Sequence, residues 1–154
     1  MPTAPTQPDD WHDRLCLPHG RPTWLTADGI FLLTVCGTPR GLNQLCDPRI
    51  ANAIKNSLRF QQQAGAWLLL ACVVMPDHVH LLARVPPSTD LQRRVTSLKR
   101  YLARSERIRW QRDFFEHRLR RDEHFEAKLE YLRQNPVRAG LAVDADDWPY
   151  FWTW

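Results

Sequence analysis

The chain has 154 residues and a formal net charge of +4, with 44% hydrophobic and 25% charged residues. This length fits one domain with a single core, and the apolar content excludes a chain that is disordered by composition. Because no apolar run is long enough for a membrane helix and the first residues lack a signal-peptide pattern, we expect a soluble, cytoplasmic protein. The cysteines have no C-x-x-C spacing and are expected to be reduced, packed thiols; they are Cys16, Cys36, Cys46 and Cys72.

The first 22 residues are polar and rich in proline, so we expect a loosely ordered arm before a single domain over residues 23–154. The apolar run over residues 29–36 predicts a first strand in the interior of a sheet. Asp47 followed by Pro48 is typical of a helix start, and this helix is expected to run to about Gln63.

A pair of histidines follows a turn in the middle of the chain. Apolar residues lead up to Pro76 and Asp77 and resume around His78 and His80, which predicts two strands joined by a tight turn. Because strand side chains alternate, the two histidines should share one face while Val79 points to the other. Two adjacent neutral imidazoles are candidate ligands for a divalent metal ion. Two half-exposed histidines bonded to water fit the same pattern.

The remaining periodicities predict, in order, a strand over 66–75, a strand over 78–85, a helix over 90–107, a strand over 114–119, a helix over 123–134 and an aromatic tail. Ser88 or Thr89 is expected to cap the second helix and Asp122 the third. The order of the first six elements matches the split βαβ pattern. We therefore predict an α+β, ferredoxin-like fold: an antiparallel sheet with helices on one face, plus a C-terminal helix and the tail.

The second predicted helix lies in a basic stretch. Residues 92–121 hold eleven Arg or Lys residues against three acids, which indicates phosphate binding, although a solvated basic helix is the plainer interpretation. Arginine dominates, and its planar fork suits phosphates and bases, while aromatic rings such as Trp110 and Phe115 could stack on unpaired bases. The candidate DNA-binding residues are Arg93, Arg94, Lys99, Arg100, Arg104, Arg107, Trp110, Arg112 and Arg138.

Tyr131 and Asn135 are four positions apart on the third predicted helix, so both should project from one face. Taken singly, Tyr131 fits a tyrosine at the edge of the core, and Asn135 before Pro136 fits a C-terminal cap.

Taken together, these motifs resemble the REP-associated tyrosine transposases, which belong to the HUH-type single-tyrosine nucleases. "HUH" denotes His-apolar-His, here His78-Val79-His80. The resemblance covers residues 31 to about 150, and its most distinctive parts are the Asn-Pro-Val-Arg-Ala-Gly run from Asn135 and the Trp-Pro-Tyr run from Trp148.

The resemblance implies a metal-dependent enzyme that nicks and rejoins single-stranded or hairpin DNA, in transposition or in the mobilisation of repeat elements. It implies Tyr131 as the nucleophile and a Mg²⁺ or Mn²⁺ ion held by His78, His80 and Asn135. The expected product is a 5′-phosphotyrosine at Tyr131 and a free 3′-hydroxyl. The oligomeric state stays open between monomer and homodimer.

Two other functions remain as alternatives. The first is a domesticated regulator that binds hairpin DNA or RNA without cutting it, although such a binder need not retain all four of the candidate site residues. The second is a zinc protein, which is disfavoured because no third His or Cys lies at regular spacing; His117 and His124 are the possible exceptions.

Overall fold

The computed structural model describes residues 28–120 and 124–154. The expected N-terminal arm, Cys16 and the expected cap Asp122 lie outside the described residues. The elements are β1 (Gly29–Cys36), α1 (Pro48–Gln63), β2 (Leu68–Val74), β3 (His78–Val85), α2 (Leu91–Glu106), β4 (Phe115–Arg118), α3 (Phe125–Arg133), α4 (Asn135–Arg138), a 3-10 helix (Ala145–Asp147) and β5 (Phe151–Thr153). Within the described ranges, no helix has the length and apolar character needed to cross a membrane.

Helix α1 begins and ends where the sequence predicts. The Asp47 carboxylate accepts from the amides of Arg49 and Ile50 at 3.0 and 3.2 Å, and Pro48 has no N–H that would need a partner. The helix stops before Gly65, whose φ of +77° is a conformation that glycine adopts without steric cost. Local capping chemistry therefore sets both ends of this helix.

The second helix is capped differently from the prediction. Asp90, rather than Ser88 or Thr89, is the N-cap, since its carboxylate accepts from the amide of Arg93 at 3.0 Å. The hydroxyl of Thr89 donates instead to the carbonyl of Ala66, at 3.1 Å. Because the Thr89 hydroxyl is used in this tertiary contact, the carboxylate of the next residue, Asp90, caps the helix.

The sheet is antiparallel throughout, in the order β4-β1-β3-β2-β5. The first four strands confirm the ferredoxin-like prediction. The prediction placed an aromatic tail after the last helix, but Phe151–Thr153 pairs with β2 as a fifth strand. Hydrogen bonds from Val74 N to Tyr150 O and from Trp154 N to Leu70 O flank this pairing, at 2.9 and 3.1 Å.

The two faces of the sheet carry different layers. On one face α1 and α2 pack as predicted, and Ile54 and Leu102 join Leu81 of β3 in the larger core cluster. On the other face Leu132 of α3 shares a second core cluster with Val73 of β2 and Leu82 of β3. Burial of one such leucine contributes roughly 1.5–3 kcal/mol, so this single fully buried residue is a main attachment of α3 to the sheet.

Candidate active site

The two histidines of β3 lie side by side on the α3 face of the sheet, as the alternation predicts. Val79 and Leu81 belong to the opposite core, whereas the rings of His78 and His80 meet edge to face with centroids 4.8 Å apart. His80 is only 8% exposed. The pair therefore lies in a sheltered position rather than on an open surface.

Each imidazole is oriented through its Nδ1 atom. His78 Nδ1 lies 2.7 Å from the Asp77 carboxylate, and His80 Nδ1 lies 2.8 Å from the hydroxyl of Thr34. Thr34 is the direct partner of His80 in the β1–β3 register. The Asp77 carboxylate and the Thr34 hydroxyl can each accept from a protonated Nδ1, and this tautomer leaves the lone pair of each Nε2 available, which is the usual arrangement of a metal-binding histidine.

Asp77 is itself held in place. Its carboxylate accepts from the amide of Gly41 at 2.7 Å and pairs with Arg40 Nε at 3.3 Å. Burial opposes ionisation, but the bonds from Gly41 and His78 and the charge of Arg40 outweigh it and lower the pKa of Asp77. The carboxylate is therefore ionised at neutral pH and can orient His78.

Both histidines are neutral at neutral pH. Burial lowers the pKa of His80 to about 3, and the positive charge of His78 in its protonated form and those of Arg40 and Arg138 act in the same direction. Burial also lowers the pKa of His78, although its bond to Asp77 opposes the shift. Because only the neutral imidazole can ligate a metal ion, the surroundings favour the form that binds.

Tyr131 of α3 completes a row of three rings. Its ring centroid lies 6.2 Å from that of His80, with an interplanar angle of 64°. Tyr101 is 60% exposed on α2, on the opposite side of the sheet. Tyr150 packs against Trp148, with ring centroids 5.6 Å apart, and against the core beneath α1 and α2. The fold thus brings Tyr131 to the histidine pair.

Asn135 occupies the position next to Tyr131 that the spacing predicts, but it also has the geometry of a cap. Helix α3 ends at Arg133, and Asn135 opens the short helix α4. Its Nδ2 donates to the carbonyl oxygen of Tyr131 at 3.0 Å. This bond uses the amide nitrogen and leaves the amide oxygen as the atom able to ligate.

The donor set fits a divalent metal ion. His78 and His80 supply two neutral nitrogens, and Asn135 has an amide oxygen to offer; imidazole nitrogens and amide oxygens are both ligands of divalent metal ions. Across residues 28–120 and 124–154 there is no group of three or more His, Cys, Asp or Glu side chains able to hold a metal. His117 and His124, the possible further ligands in the zinc alternative, are both exposed.

Several residues of this site were not predicted from the sequence. Thr34 is the one polar side chain in the otherwise apolar strand β1, and this pattern could have marked it as a residue of interest. Only the strand register shows that it contacts His80. Asp77 was assigned to the turn alone, and Arg40 lies far away in the sequence. Arg138, expected as a DNA contact, has its guanidinium carbon 4.2 Å from the ring centroid of Tyr131.

The candidate DNA-binding residues lie mostly away from this site. Helix α2 packs on the other face of the sheet, with Arg93, Arg100 and Arg104 exposed along its outer side.

Lys99 is buried, and its Nζ donates to the carbonyls of Gln111, Arg112 and Asp113. All three ammonium hydrogens of Lys99 are therefore directed at backbone oxygens rather than at solvent. Arg94 is half-buried and Arg107 is exposed at the C-cap of α2; Trp110 is half-buried against the core, and Arg112 is exposed.

Helix α1 adds to the same charged surface, which the sequence did not indicate. The residues of α1 and α2 include eight cations and one acid, Glu106, which pairs with Arg49. The cations are Arg49, Lys55, Arg59, Arg93, Arg94, Lys99, Arg100 and Arg104, of which Lys99 is buried and does not contribute to the surface. This basic layer, defined as α1 and α2, lies on the face of the sheet opposite the histidine pair.

Comparisons with known proteins point to one family. A family model for IS200-like transposases matches residues 37–132. A candidate REP-associated tyrosine transposase of Haemophilus influenzae is 28% identical over 142 residues, covering 81% of this chain and 80% of that protein. The REP-associated tyrosine transposase of Escherichia coli is 29% identical over 83 residues, covering 52% of this chain and 50% of that protein.

Solved structures share the fold. A structure of a REP-associated tyrosine transposase bound to a REP hairpin aligns with a TM-score of 0.70 at 24% identity, covering 80% of this chain and 75% of that one. A candidate transposase of Deinococcus radiodurans aligns with a TM-score of 0.52 at 22% identity, covering 75% of this chain and 96% of that one. These likenesses confirm the α+β architecture.

Proposed function

The chain belongs to the family of IS200-like transposases, and on that premise we propose that it cuts and rejoins single-stranded DNA beside a hairpin. The observation that carries this proposal is the row of rings in which Tyr131 lies next to His80, and His80 next to His78. A tyrosine beside a sheltered, neutral histidine pair offers a nucleophile and candidate metal ligands, which together support phosphodiester cleavage by a side chain. We further propose that this reaction serves transposition or the mobilisation of repeat elements.

In the proposed reaction, the hydroxyl oxygen of Tyr131 attacks the scissile phosphorus. A bond forms between Tyr131 Oη and phosphorus, and the bond between phosphorus and the 3′-oxygen breaks. The phenolic proton passes through water to the leaving 3′-oxygen, so that the products are a 5′-phosphotyrosine and a free 3′-hydroxyl. Rejoining is the reverse attack by a 3′-hydroxyl, and it needs no nucleotide cofactor because the phosphotyrosine bond retains the energy of the broken one.

The chain's own residues would hold the ion and orient the attack. His78, His80 and Asn135 would bind Mg²⁺ or Mn²⁺, which when bound supplies Lewis-acid stabilisation of the phosphoryl oxygens. Asp77 and Thr34 hold the imidazoles in one orientation. Packing of α3 on the sheet through Leu132 keeps Tyr131 at a fixed distance from the pair.

The DNA is proposed to contact two faces of the protein. The structural relative is bound to a REP hairpin, and the basic layer here offers a surface for a nucleic-acid backbone. Arg93, Arg100 and Arg104 lie along the outer face of α2, first two turns and then one turn apart, and span roughly 16 Å at the helical rise. Because this surface and Tyr131 lie on opposite faces of the sheet, the phosphates bound by the basic layer are not those attacked by the tyrosine.

The decisive experiment is a search for the covalent intermediate. Protein is mixed with labelled single-stranded hairpin DNA and Mn²⁺, separated on a denaturing gel, and the shifted band is mapped by peptide analysis. We expect an adduct at Tyr131 that is absent from Tyr131→Phe and retained in Tyr101→Phe and Tyr150→Phe. Hairpin binding without any adduct in the wild-type protein would support the alternative, a regulator that binds but does not cut.

A further inference from the structure

The carbonyl oxygen of Tyr131 receives two hydrogen bonds from side chains. Asn135 Nδ2 donates to it at 3.0 Å and Arg138 Nη2 at 2.7 Å. Both donors lie beyond the end of α3 at Arg133, one on each side of Pro136, which has no N–H for the helical ladder. Side chains of the Asn-Pro-Val-Arg run thus bond the backbone of the tyrosine at this break.

Arg138 also contacts the side chain of the same tyrosine. Its guanidinium carbon lies 4.2 Å from the ring centroid of Tyr131, well within the range of a cation–π interaction. The ring of Tyr131 also contacts the ring of His80. One guanidinium therefore touches both ends of a residue whose side chain has only two main torsions, which limits the positions that the phenol can take.

We propose that Arg138 is a positioning residue that fixes the phenol ring of Tyr131 toward His78 and His80, an inference that rests on the proposed role of Tyr131 as nucleophile. This role differs from the DNA contact that the sequence suggested for Arg138. A backbone contact contributes to affinity for DNA, whereas a positioning residue contributes to the rate at which bound DNA reacts.

The chemistry of arginine matters for this role. Its planar fork can lie over a ring and still direct an N–H at the carbonyl, whereas a lysine ammonium is a point charge that cannot do both equally well. A nucleophile displaced by about 1 Å can lose on the order of 100-fold in rate. We therefore expect the rate to fall from wild type through Arg138→Lys to Arg138→Ala.

The first test separates rate from affinity. Adduct formation is measured at saturating hairpin DNA with Mn²⁺, and binding is measured separately. Arg138→Ala should slow adduct formation roughly 10- to 100-fold, with hairpin affinity within a few-fold of wild type. The matched control is Arg133→Ala, since Arg133 lies in the same segment but pairs with Glu130 and Asp146. Weaker binding with an unchanged saturating rate would overturn the proposal and make Arg138 a DNA contact.

The second test does not depend on activity. The protein is labelled with 3-fluorotyrosine, and the Tyr131 signal is assigned in the ¹⁹F spectrum by its loss in Tyr131→Phe. Without metal or DNA, this signal should shift in Arg138→Ala and stay in place in Arg133→Ala. An unmoved signal would overturn the proposal even if the wild-type protein forms the adduct. A shifted signal with no adduct in the wild type would overturn the proposed function and leave the contact between Arg138 and Tyr131 established.

Discussion

The ring of Tyr131 lies 6.2 Å from the ring of His80, although the whole of α2 and β4 separates the two residues in the chain. This relationship exists because β3 directs His80 to one face of the sheet and α3 packs on that same face through Leu132.

The first prediction concerns the metal ligands. His78→Ala and His80→Ala should each lose Mn²⁺ binding in calorimetry of the metal-free protein, and both should form no adduct. Hairpin binding should largely remain because the basic layer is unchanged. His117→Ala, at an exposed histidine of β4, serves as the control. Full activity of both active-site variants after washing with EDTA would exclude a metal held by this pair.

The second prediction concerns the carboxylate that orients His78. Asp77→Asn keeps the size of the side chain but removes the charge that is bonded to His78 Nδ1. Such outer partners are typically worth 10- to 100-fold in metal affinity, so we expect a loss of about that size in the calorimetric affinity for Mn²⁺. Asp28→Asn, at an exposed aspartate before β1, should have no effect. Equal affinities for the two variants would show that Asp77 does not orient the ligand.

The third prediction concerns pH. Burial lowers the pKa of His80 to about 3, whereas in the unfolded chain a histidine has a pKa of about 6.5. As the pH falls below about 6.5, the unfolded state binds a proton that the folded state excludes until about pH 3, so the free energy of unfolding decreases. One such group changes the free energy of unfolding by up to about 1.4 kcal/mol for each pH unit in this range.

The measurement for this third prediction is urea unfolding between pH 6 and pH 4 in EDTA. The stability of the wild type should fall more steeply with decreasing pH than that of His80→Gln. This variant has no titrating group at position 80 and retains all other titrating groups. Comparing the slopes rather than the absolute free energies removes any constant cost of the substitution. Parallel slopes would show that His80 is protonated as readily in the folded state as in the unfolded one.

The fourth prediction concerns the basic layer. Hairpin affinity should fall steeply with salt, with a slope of about −0.7 log units per log salt for each phosphate contact on a single strand. Arg93→Ala, Arg100→Ala and Arg104→Ala should each make the slope shallower by roughly one contact. The rate of adduct formation at saturating DNA should not change, because these residues lie on the face opposite Tyr131.

A control for the fourth prediction is Arg84→Ala, at an exposed arginine near the end of β3 away from the histidines. Its salt slope should match that of the wild type. If the three α2 variants also keep the wild-type salt slope, another surface binds the phosphates, and the basic layer contacts solvent and not DNA.

The sequence by itself determined the features that depend on local chemistry. The two-residue alternation of a strand put His78 and His80 on one face, and the Asp47-Pro48 cap set the start of α1. The order of the strands and helices predicted the ferredoxin-like sheet, and the motifs at His78, Tyr131 and Trp148 together indicated the family. The metal ligands, the nucleophile and the DNA contacts stay predictions.

Only the tertiary structure decided which distant residues meet. The β1–β3 register places Thr34 opposite His80, the break after Arg133 turns Arg138 back onto Tyr131, and β5 exists only by pairing with β2. The packing of α1 and α2 on one face and α3 on the other separates the basic layer from the nucleophile. These relationships arise from strand register and side-chain packing between elements far apart in the chain, which the local periodicity of a sequence does not encode.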